Sequence, residues 1–256
     1  MQIQGHSAFV TGGGSGLGEA VARELARLGA KVTVFDMNAA GAQRVAADVG
    51  GLACTGDVAD TAGVNAALDA AAAAHGVPRI VMNIAGIGKA TRIVQKDGSA
   101  APLEDFERVL RVNLVGSYNV ARLAAARIAA LAPLAGTDGE RGVIVNTASV
   151  AAFDGQVGQE AYSASKGGVV GMTLPMARDL AQWGIRVCTI APGLFKTPLL
   201  ATLPEPIQQS LAAAIPFPKR LGDPAEFAAL AAHIVSNGHL NGEVIRLDGA
   251  LRMAPR

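Results

Sequence analysis

A phenol and an ammonium stand four residues apart in the stretch Tyr162-Ser163-Ala164-Ser165-Lys166. On a helix, this spacing places both side chains on one face and within reach of each other. An unperturbed phenol has a pKa of about 10, which is too high for proton transfer near neutral pH. Lowering that pKa to about 7 requires roughly 4 kcal/mol, which two close cations could supply. The pair therefore predicts general acid–base chemistry, although an exposed helical pair without a chemical role would have the same spacing.

Two further polar residues could complete this centre. Ser149 lies thirteen residues before Tyr162, at the end of a strand-like run, where it could hold a substrate carbonyl or hydroxyl. Asn113 falls within a long predicted helix, which its amide could bend locally while holding a water that leads protons toward Lys166. Taken together, the four residues favour catalysis over a surface pair.

A glycine-rich turn, Thr11-Gly12-Gly13-Gly14-Ser15-Gly16-Leu17-Gly18, follows the first strand-like run and opens a helical one. Glycines let a backbone turn sharply and approach a pyrophosphate, whose charge is favoured at a helix N-terminus. A merely flexible turn is the alternative, but the strand-turn-helix context favours a dinucleotide site. The predicted contacts to the dinucleotide are Gly12, Ser15, Gly16, Leu17 and Gly18.

Asp36 ends the second strand-like run, 18 residues beyond Gly18. A carboxylate at this point can accept hydrogen bonds from the adenosine ribose hydroxyls. It would also repel the additional phosphate of NADP, and neither Met37 nor Ser15 offers a cation for that phosphate. Unless Asp36 is only a solvated turn carboxylate, NAD is the expected cofactor.

Two later strand ends carry residues that suit the same ligand. Asp57-Val58 could hold the adenine, and Asn83-Ile84-Ala85-Gly86 has small residues on which a ribose could pack. Asp57, Val58, Asn83, Ala85 and Gly86 are therefore predicted cofactor contacts. Taken alone, each of the two segments is equally consistent with an ordinary turn at the end of a strand.

These residues must be positioned by alternating strands and helices. Seven short, nearly continuous apolar runs are typical of parallel strands covered on both faces: Ser7–Thr11, Lys31–Phe35, Leu52–Thr55, Ile80–Asn83, Gly142–Thr147, Ile185–Ile190 and Glu243–Leu247. Helices are predicted between them: Gly16–Leu28, Ala39–Asp48, Thr61–His75, Leu103–Ala130, Glu160–Trp183 and Pro224–Val235. The alternation predicts one α/β domain over residues 1–256, a Rossmann-type doubly wound parallel sheet with helices on both faces.

Two long connections follow strands, at the sheet edge where ligands bind in such folds. Gly88–Pro102 contains several charged residues, and Phe195–Pro218 carries five of the chain's twelve prolines. Connections of this length in a compact domain are usually functional or mobile. Both segments are predicted to form walls of the substrate site.

In order along the chain, these motifs resemble those of the short-chain dehydrogenase/reductase family. They include Thr11–Gly18, Asn83-Ile84-Ala85-Gly86, Tyr162 with Lys166, and Pro192-Gly193, although Ile84 stands where many members have a small residue. The resemblance implies hydride transfer to or from NAD, with Tyr162 as general acid/base, Ser149 orienting the substrate oxygen, Lys166 lowering the tyrosine pKa and Asn113 holding a relay water.

Stretches outside these motifs resemble a subgroup of the family that interconverts 3-hydroxyacyl-CoA and 3-ketoacyl-CoA. They include 141–153, 155–159, 191–195, 220–226 and 241–250. The resemblance implies a homotetramer and substrate contacts at Ser149, Gln159 and Tyr162. It also implies further cofactor contacts at Tyr162, Lys166, Pro192, Gly193, Phe195 and Thr197. It also relates Gly88–Pro102 to an insertion of the subgroup, but with differently spaced basic residues.

Composition narrows the remaining possibilities. The 256 residues carry a net charge of +1, which disfavours a nucleic-acid binder, and no window approaches the ~20 uninterrupted apolar residues of a membrane span. The four histidines are scattered without metal-ligand spacing, so no metal site is predicted. Cys54 and Cys188 lie in strand-like runs as small hydrophobes. Because no leader sequence is recognisable, we expect a soluble cytoplasmic protein.

Two alternatives to the acyl-CoA enzyme stay open. The leucine-, alanine- and proline-rich segment 195–218 could equally wrap a steroid or another apolar secondary alcohol. Relatives of the subgroup also serve as structural subunits of an RNA-processing complex, a role that the balanced charge disfavours here. The helices Leu103–Ala130 and Glu160–Trp183 are apolar on more than one face, which predicts association of subunits through them.

Overall fold

A seven-stranded parallel sheet forms the centre of the computed structural model, which describes residues 1–197, 200 and 204–255. The strands are β1 (Ser7–Thr11), β2 (Lys31–Asp36), β3 (Leu52–Thr55), β4 (Ile80–Asn83), β5 (Gly142–Thr147), β6 (Ile185–Pro192) and β7 (Val244–Leu247). Their order is β3-β2-β1-β4-β5-β6-β7, with every neighbouring pair parallel. The chain crosses from one half of the sheet to the other between β3 and β4, beside β1. This confirms the predicted doubly wound fold.

Helices cover both faces of the sheet. They are α1 (Gly16–Arg27), α2 (Ala39–Val49), α3 (Thr61–His75), α4 (Leu103–Leu110), α5 (Gly116–Ala129), α6 (Glu160–Leu180), α7 (Glu205–Ala213) and α8 (Pro224–Ser236). α1, α2 and α8 pack on one face, and α3, α5 and α6 on the other.

Strand β1 shows how the apolar runs create these two layers. All five of its residues are buried. Ala8 and Val10 belong to one apolar cluster and Phe9 belongs to the other, because successive side chains of a strand point to opposite faces. A strand covered on both sides therefore needs a continuous apolar run.

Two predicted helices differ from the observed ones. The run Leu103–Ala130 is α4, a π-helical turn at Arg111–Val115, and α5. α6 ends at Leu180 and continues as a short 3₁₀ turn at Ala181–Trp183.

Both long connections contain local structure. The segment Gly88–Pro102 includes an antiparallel bridge between Val94 and Ala100. The segment Phe195–Pro218 was predicted as a connection, but α7 lies within it. Its residues 198, 199 and 201–203 lie outside the described part of the chain.

Within the described ranges, no helix is both long and apolar enough to cross a membrane. The same ranges contain no cluster of three or more His, Cys, Asp or Glu side chains that could hold a metal ion.

Candidate active site

A cleft of about 720 Å³ lies at the C-terminal ends of the central strands. One half is lined by the glycine-rich turn after β1 and by Asp36 at the end of β2. The other half is lined by Ser149, Tyr162 and Lys166. The structure thus brings together the two groups of residues that the sequence analysis singled out separately. This position agrees with the rule that ligands of open parallel sheets bind outside the carboxyl ends of strands.

The glycine-rich turn is packed so tightly that side chains are excluded at two positions. Gly12 has φ +66°, and a Cβ there would lie 2.8 Å from the backbone of Ala85. A Cβ on Gly18 would lie 2.0 Å from the Gly12 carbonyl oxygen. Glycine at these positions lets α1 approach the turn and brings the turn against the end of β4.

The N-terminus of α1 faces the cleft. Ser15 is its N-cap residue, yet the Ser15 side chain makes no capping hydrogen bond. Ser15, Gly16 and Leu17 all line the cleft. The first turn of α1 therefore presents backbone N–H groups, a favourable environment for an anion.

Asp36 fastens the glycine-rich turn to the end of β2. Its carboxylate accepts one hydrogen bond from the Gly14 N–H at 2.9 Å and another from the Asn38 N–H at 2.9 Å. Each carboxylate oxygen has further lone pairs, so Asp36 can still accept hydrogen bonds from a ligand in the cleft.

A cation near this turn was missed in the sequence analysis. Arg44 of α2 donates a hydrogen bond to the Gly14 carbonyl at 3.2 Å and pairs with Glu19 at 2.6 Å. Hydrogen bonds from Arg44 and Arg23 lower the pKa of the Glu19 carboxyl to about 2. Arg44 is therefore close to the turn but has its charge balanced by Glu19.

Tyr162 lies on the first turns of α6, and Ser149 lies just after β5. Burial raises the pKa of the Tyr162 phenol, and a hydrogen bond with Ser149 partly opposes this effect. The Lys166 Nζ lies 5.8 Å from the centre of the Tyr162 ring. The lowering of the tyrosine pKa by Lys166 together with a bound nicotinamide stays a prediction.

Lys166 is buried one turn further along α6. Its Nζ donates a hydrogen bond to the Thr147 carbonyl at the end of β5, at 2.7 Å. Burial lowers the pKa of Lys166 to about 8. A Cβ on Gly86 would lie 3.4 Å from Nζ, so this glycine leaves the ammonium close to the backbone after β4.

Asn113 lies in the π-helical turn between α4 and α5 and is fully buried. Its amide exchanges hydrogen bonds with the backbone of Ile87, accepting from the N–H at 2.8 Å and donating to the carbonyl at 2.9 Å. It also donates to the Ser165 hydroxyl at 3.0 Å. The predicted local distortion of the helix is therefore present, and it places Asn113 beneath the end of the cleft that holds Tyr162 and Lys166.

The other predicted cofactor contacts divide into two groups. Val58, Ala85, Gly86, Pro192, Gly193, Phe195 and Thr197 line the cleft, as does the predicted substrate contact Gln159. The Asp57 carboxylate instead accepts from the Ala59 N–H at 2.9 Å, while its neighbours Gly56 and Val58 form the wall.

Asn83 is the last residue of β4, next to Ile84, which lines the cleft. Its side chain is buried and donates to the Ser117 carbonyl at 3.1 Å and to the Asn146 amide oxygen at 2.9 Å. The side chain thus joins β4 to β5 and α5, and the predicted packing of a ribose on the backbone of this segment stays a prediction.

Comparison with known proteins agrees with this architecture. A family model described as short chain dehydrogenase matches residues 6–208. The chain belongs to the short-chain dehydrogenase family. It is therefore an oxidoreductase of that family. The human short-chain dehydrogenase named 3-hydroxyacyl-CoA dehydrogenase type-2 is 53% identical over 256 residues, covering 99% of this chain and 97% of the human one.

Solved structures of similar proteins also share this fold over nearly the full chain. A 3-hydroxyacyl-CoA dehydrogenase type-2 from Mycobacterium avium superposes with a TM-score of 0.93 at 46% identity, covering 98% of each chain. A 3-ketoacyl-(acyl-carrier-protein) reductase from Brucella melitensis, complexed with NADH, gives a TM-score of 0.85 at 32% identity, over 98% of this chain and all of the other.

Three supporting residues of this short-chain dehydrogenase had no individual role in the sequence analysis. The Thr11 hydroxyl accepts from the N–H groups of Ile84 at 3.0 Å and Ala85 at 3.2 Å, which joins the glycine-rich turn to the end of β4. Ser165 links Asn113 to α6, and Thr147 supplies the carbonyl that holds Lys166. Thr11 and Ser165 lie inside the quoted motifs, whereas the role of Thr147 depends on its carbonyl and leaves no sequence signal.

Proposed function

We propose that this protein interconverts 3-hydroxyacyl-CoA and 3-ketoacyl-CoA thioesters with NAD as cofactor. The observation that carries the proposal is the placement of Ser149, Tyr162 and Lys166 in the same cleft as the glycine-rich turn and Asp36. Support for the substrate class comes from the names of relatives that match nearly the full chain at more than 50% identity.

The residues of the cofactor half fit NAD. A pyrophosphate requires close backbone approach, which the glycines at 12 and 18 provide, and exposed N–H groups, which the start of α1 provides. Asp36 would accept hydrogen bonds from ribose hydroxyls and would repel a 2′-phosphate. When bound, the nicotinamide supplies the hydride donor or acceptor and, in its oxidised form, a positive charge.

Tyr162 acts on the proton of the substrate oxygen. Because burial raises its pKa, the chain by itself keeps Tyr162 as a neutral phenol at pH 7. A neutral phenol is the form that donates a proton to a ketone oxygen. Without the cofactor, Tyr162 is therefore in the protonation state that reduction of a 3-ketoacyl substrate requires. In the oxidation direction, the phenolate takes the proton of the 3-hydroxyl group. Ser149, hydrogen-bonded to Tyr162, would hold the same substrate oxygen.

Lys166 and Asn113 support Tyr162 without themselves transferring the substrate proton. Lys166 brings a buried cation to the tyrosine side of the cleft and would contact the ribose next to the nicotinamide. Asn113 holds the segment around Ile87 against Ser165, and its π-helical turn is the proposed site of the relay water.

The substrate walls are proposed to be the two long connections. Gly88, Lys89 and Ala90 of the first connection line the cleft. So do Phe195 and Leu200 of the second, with Leu194 just before it. Lys89 pairs with Asp105 at 2.5 Å, which steadies the first wall beside α4. The apolar second wall would suit an acyl chain.

We also propose the predicted homotetramer. A groove of about 550 Å³ separates α5 from α6 on the outer face, lined by Ala121, Ala125, Ala129 and Met176 among others. Tyr118 and Trp183 at its rim are 53% and 45% exposed. Exposed apolar surface of this kind favours association with another subunit. A cytoplasmic location stays a prediction.

The proposal is tested by following NADH oxidation with acetoacetyl-CoA, with NADPH in a parallel assay. We expect fast turnover with NADH and at least about tenfold lower efficiency with NADPH. A hydroxysteroid with NAD is the comparison substrate. Higher efficiency with the steroid would replace the acyl-CoA assignment by the steroid one. NADH binding without turnover of either substrate would overturn both.

A further inference from the structure

The chain beyond β7 returns to the cleft. Residues 249–255, named here the C-terminal tail, run past the segment that joins Ser149 to α6. Met253 of this tail lines the same cleft as Tyr162 and Gln159. It is the one tail residue among those that line the cleft within the described part of the chain.

An ion-pair cluster at the end of β7 holds the tail. Arg246 pairs with Asp154 at 2.6 Å and with Asp248 at 2.7 Å, and it donates to the Leu251 carbonyl at 2.9 Å. The hydrogen bond from Arg246 lowers the pKa of the Asp154 carboxyl. Arg246 therefore joins Asp154 to the backbone of the tail, two residues before Met253.

Two further hydrogen bonds attach the end of the tail. The Gln156 side chain donates to the Ala254 carbonyl at 2.9 Å, and the Val157 N–H donates to the Pro255 carbonyl at 3.1 Å. Asp154, Gln156 and Val157 all lie between Ser149 and Tyr162 in the chain. The tail is thus bound to the stretch that connects two catalytic residues.

On its other side, the tail packs against the connection Phe195–Pro218 and the residues that follow it. Leu251 is buried in an apolar cluster with Ile215 and Leu221, against which Met253 and Leu200 pack. The tail therefore lies between a polar anchor and an apolar cluster, and Met253 is held at the point where that cluster meets the cleft.

We propose that the C-terminal tail is the wall that selects the length of the acyl chain, with Met253 as the contact residue and Arg246 as a positioning residue. The inference rests on the proposed function. Met253 is half-buried and unbranched, so its side chain sets how far an apolar chain extends along the wall. Arg246 acts through Asp154 and the backbone of the tail, and it does not itself line the cleft.

The experiment compares acetoacetyl-CoA with an eight-carbon 3-ketoacyl-CoA, each with NADH. Met253→Ala opens the wall, and we expect the ratio of kcat/KM for the longer over the shorter thioester to rise roughly tenfold. Met253→Leu restores the apolar volume and should keep the ratio near that of the wild type. The KM for NADH should stay unchanged in both variants.

Arg246 is tested with the same ratio. Arg246→Met removes the anchor, and the milder Asp154→Asn removes its charge while keeping the shape. Both should move the ratio in the direction of Met253→Ala. Arg27→Ala is the matched control, because Arg27 is exposed, pairs with Glu24 on α1 and does not line the cleft. A residue that merely stabilises the fold would change thermal stability without changing the ratio.

The outcomes separate the two proposals. A wild type inactive on both thioesters, although it binds NADH, overturns the proposed function and this inference with it. A wild type active on both, with an unchanged ratio in Met253→Ala, overturns the role of Met253 alone. An unchanged ratio in both Arg246→Met and Asp154→Asn overturns the positioning role.

Discussion

The Asn113 amide donates a hydrogen bond to the Ser165 hydroxyl at 3.0 Å, across 52 positions of the chain. Ser165 in turn donates to the Tyr162 carbonyl at 2.7 Å. The π-helical turn and the helix that carries Tyr162 and Lys166 are therefore connected by two consecutive hydrogen bonds. Buried polar groups that satisfy each other in this way fix the relative position of the elements that carry them.

Tyr162→Phe removes the proton donor and leaves the shape of the cleft intact. We expect kcat to fall by about 10²- to 10⁴-fold, the usual contribution of a positioned acid or base. NADH affinity, measured by fluorescence titration, should be unchanged. Tyr118→Phe on α5 is the control. Substantial turnover in Tyr162→Phe would contradict the assignment of the proton donor.

Asp36→Ser removes the carboxylate that would repel a 2′-phosphate, and it leaves Arg44 close to the turn. We expect the ratio of kcat/KM for NADH over NADPH to fall by at least about tenfold, since like charges in contact cost several kcal/mol. Asp48→Ser is the matched control, because Asp48 pairs with Arg23 outside the cleft. The same loss of preference in the control would show a general charge effect.

Lys166→Met should abolish activity but stabilise the fold. Burial lowers the pKa of Lys166 from 10.5 to about 8, so below pH 8 the folded state carries the full cost of a buried ammonium. That cost is about 3 kcal/mol, and losing the hydrogen bond to Thr147 offsets part of it. We expect the free energy of unfolding at pH 7 to rise by on the order of 2 kcal/mol.

The sign of this effect is checked through its pH dependence. Between pH 8 and 10.5 the unfolded chain holds more protons at this lysine than the folded chain does. Wild-type stability therefore gains with pH in this window, and the advantage of Lys166→Met shrinks. The difference in free energy of unfolding between Lys166→Met and the wild type is measured by urea unfolding at pH 7 and pH 9.5. Lys31→Met, at an exposed position, is the control. A variant less stable than the wild type at pH 7 would contradict the prediction.

Two Gly→Ala substitutions should change the stability of the fold in opposite directions. In Gly18→Ala the new Cβ would lie 2.0 Å from the Gly12 carbonyl oxygen, so the turn must move. We expect a loss of about 1–3 kcal/mol in stability and weaker NADH binding. Gly167→Ala on α6 meets nothing within 4 Å and should gain about 0.5–1 kcal/mol. Thermal unfolding and NADH titration of both variants test the pair.

Ala126→Glu places a carboxylate in the groove between α5 and α6. If another subunit covers this groove, a buried unpaired charge should lower the molar mass measured by light scattering at micromolar concentration. Ala73→Glu, at an exposed position of α3, should leave the mass unchanged. A wild type of monomer mass would contradict the proposed tetramer.

The amino-acid sequence by itself determined the alternation of strands and helices and the pairing of Tyr162 with Lys166 on one helix face. Continuous apolar runs require cover on two faces, as β1 shows, and Tyr162 and Lys166 are neighbours through helix geometry alone. Such local rules need no knowledge of distant parts of the chain.

Only the tertiary structure decided which groups share an environment. It showed that the Lys166 ammonium donates to the Thr147 carbonyl, that burial raises the pKa of Tyr162, and that the Asn83 side chain joins β4 to β5 and α5. It also brought Arg44 to the glycine-rich turn and Met253 to the cleft. These relations depend on desolvation and on contacts between distant segments, and neither quantity is encoded in the spacing of residues along the chain.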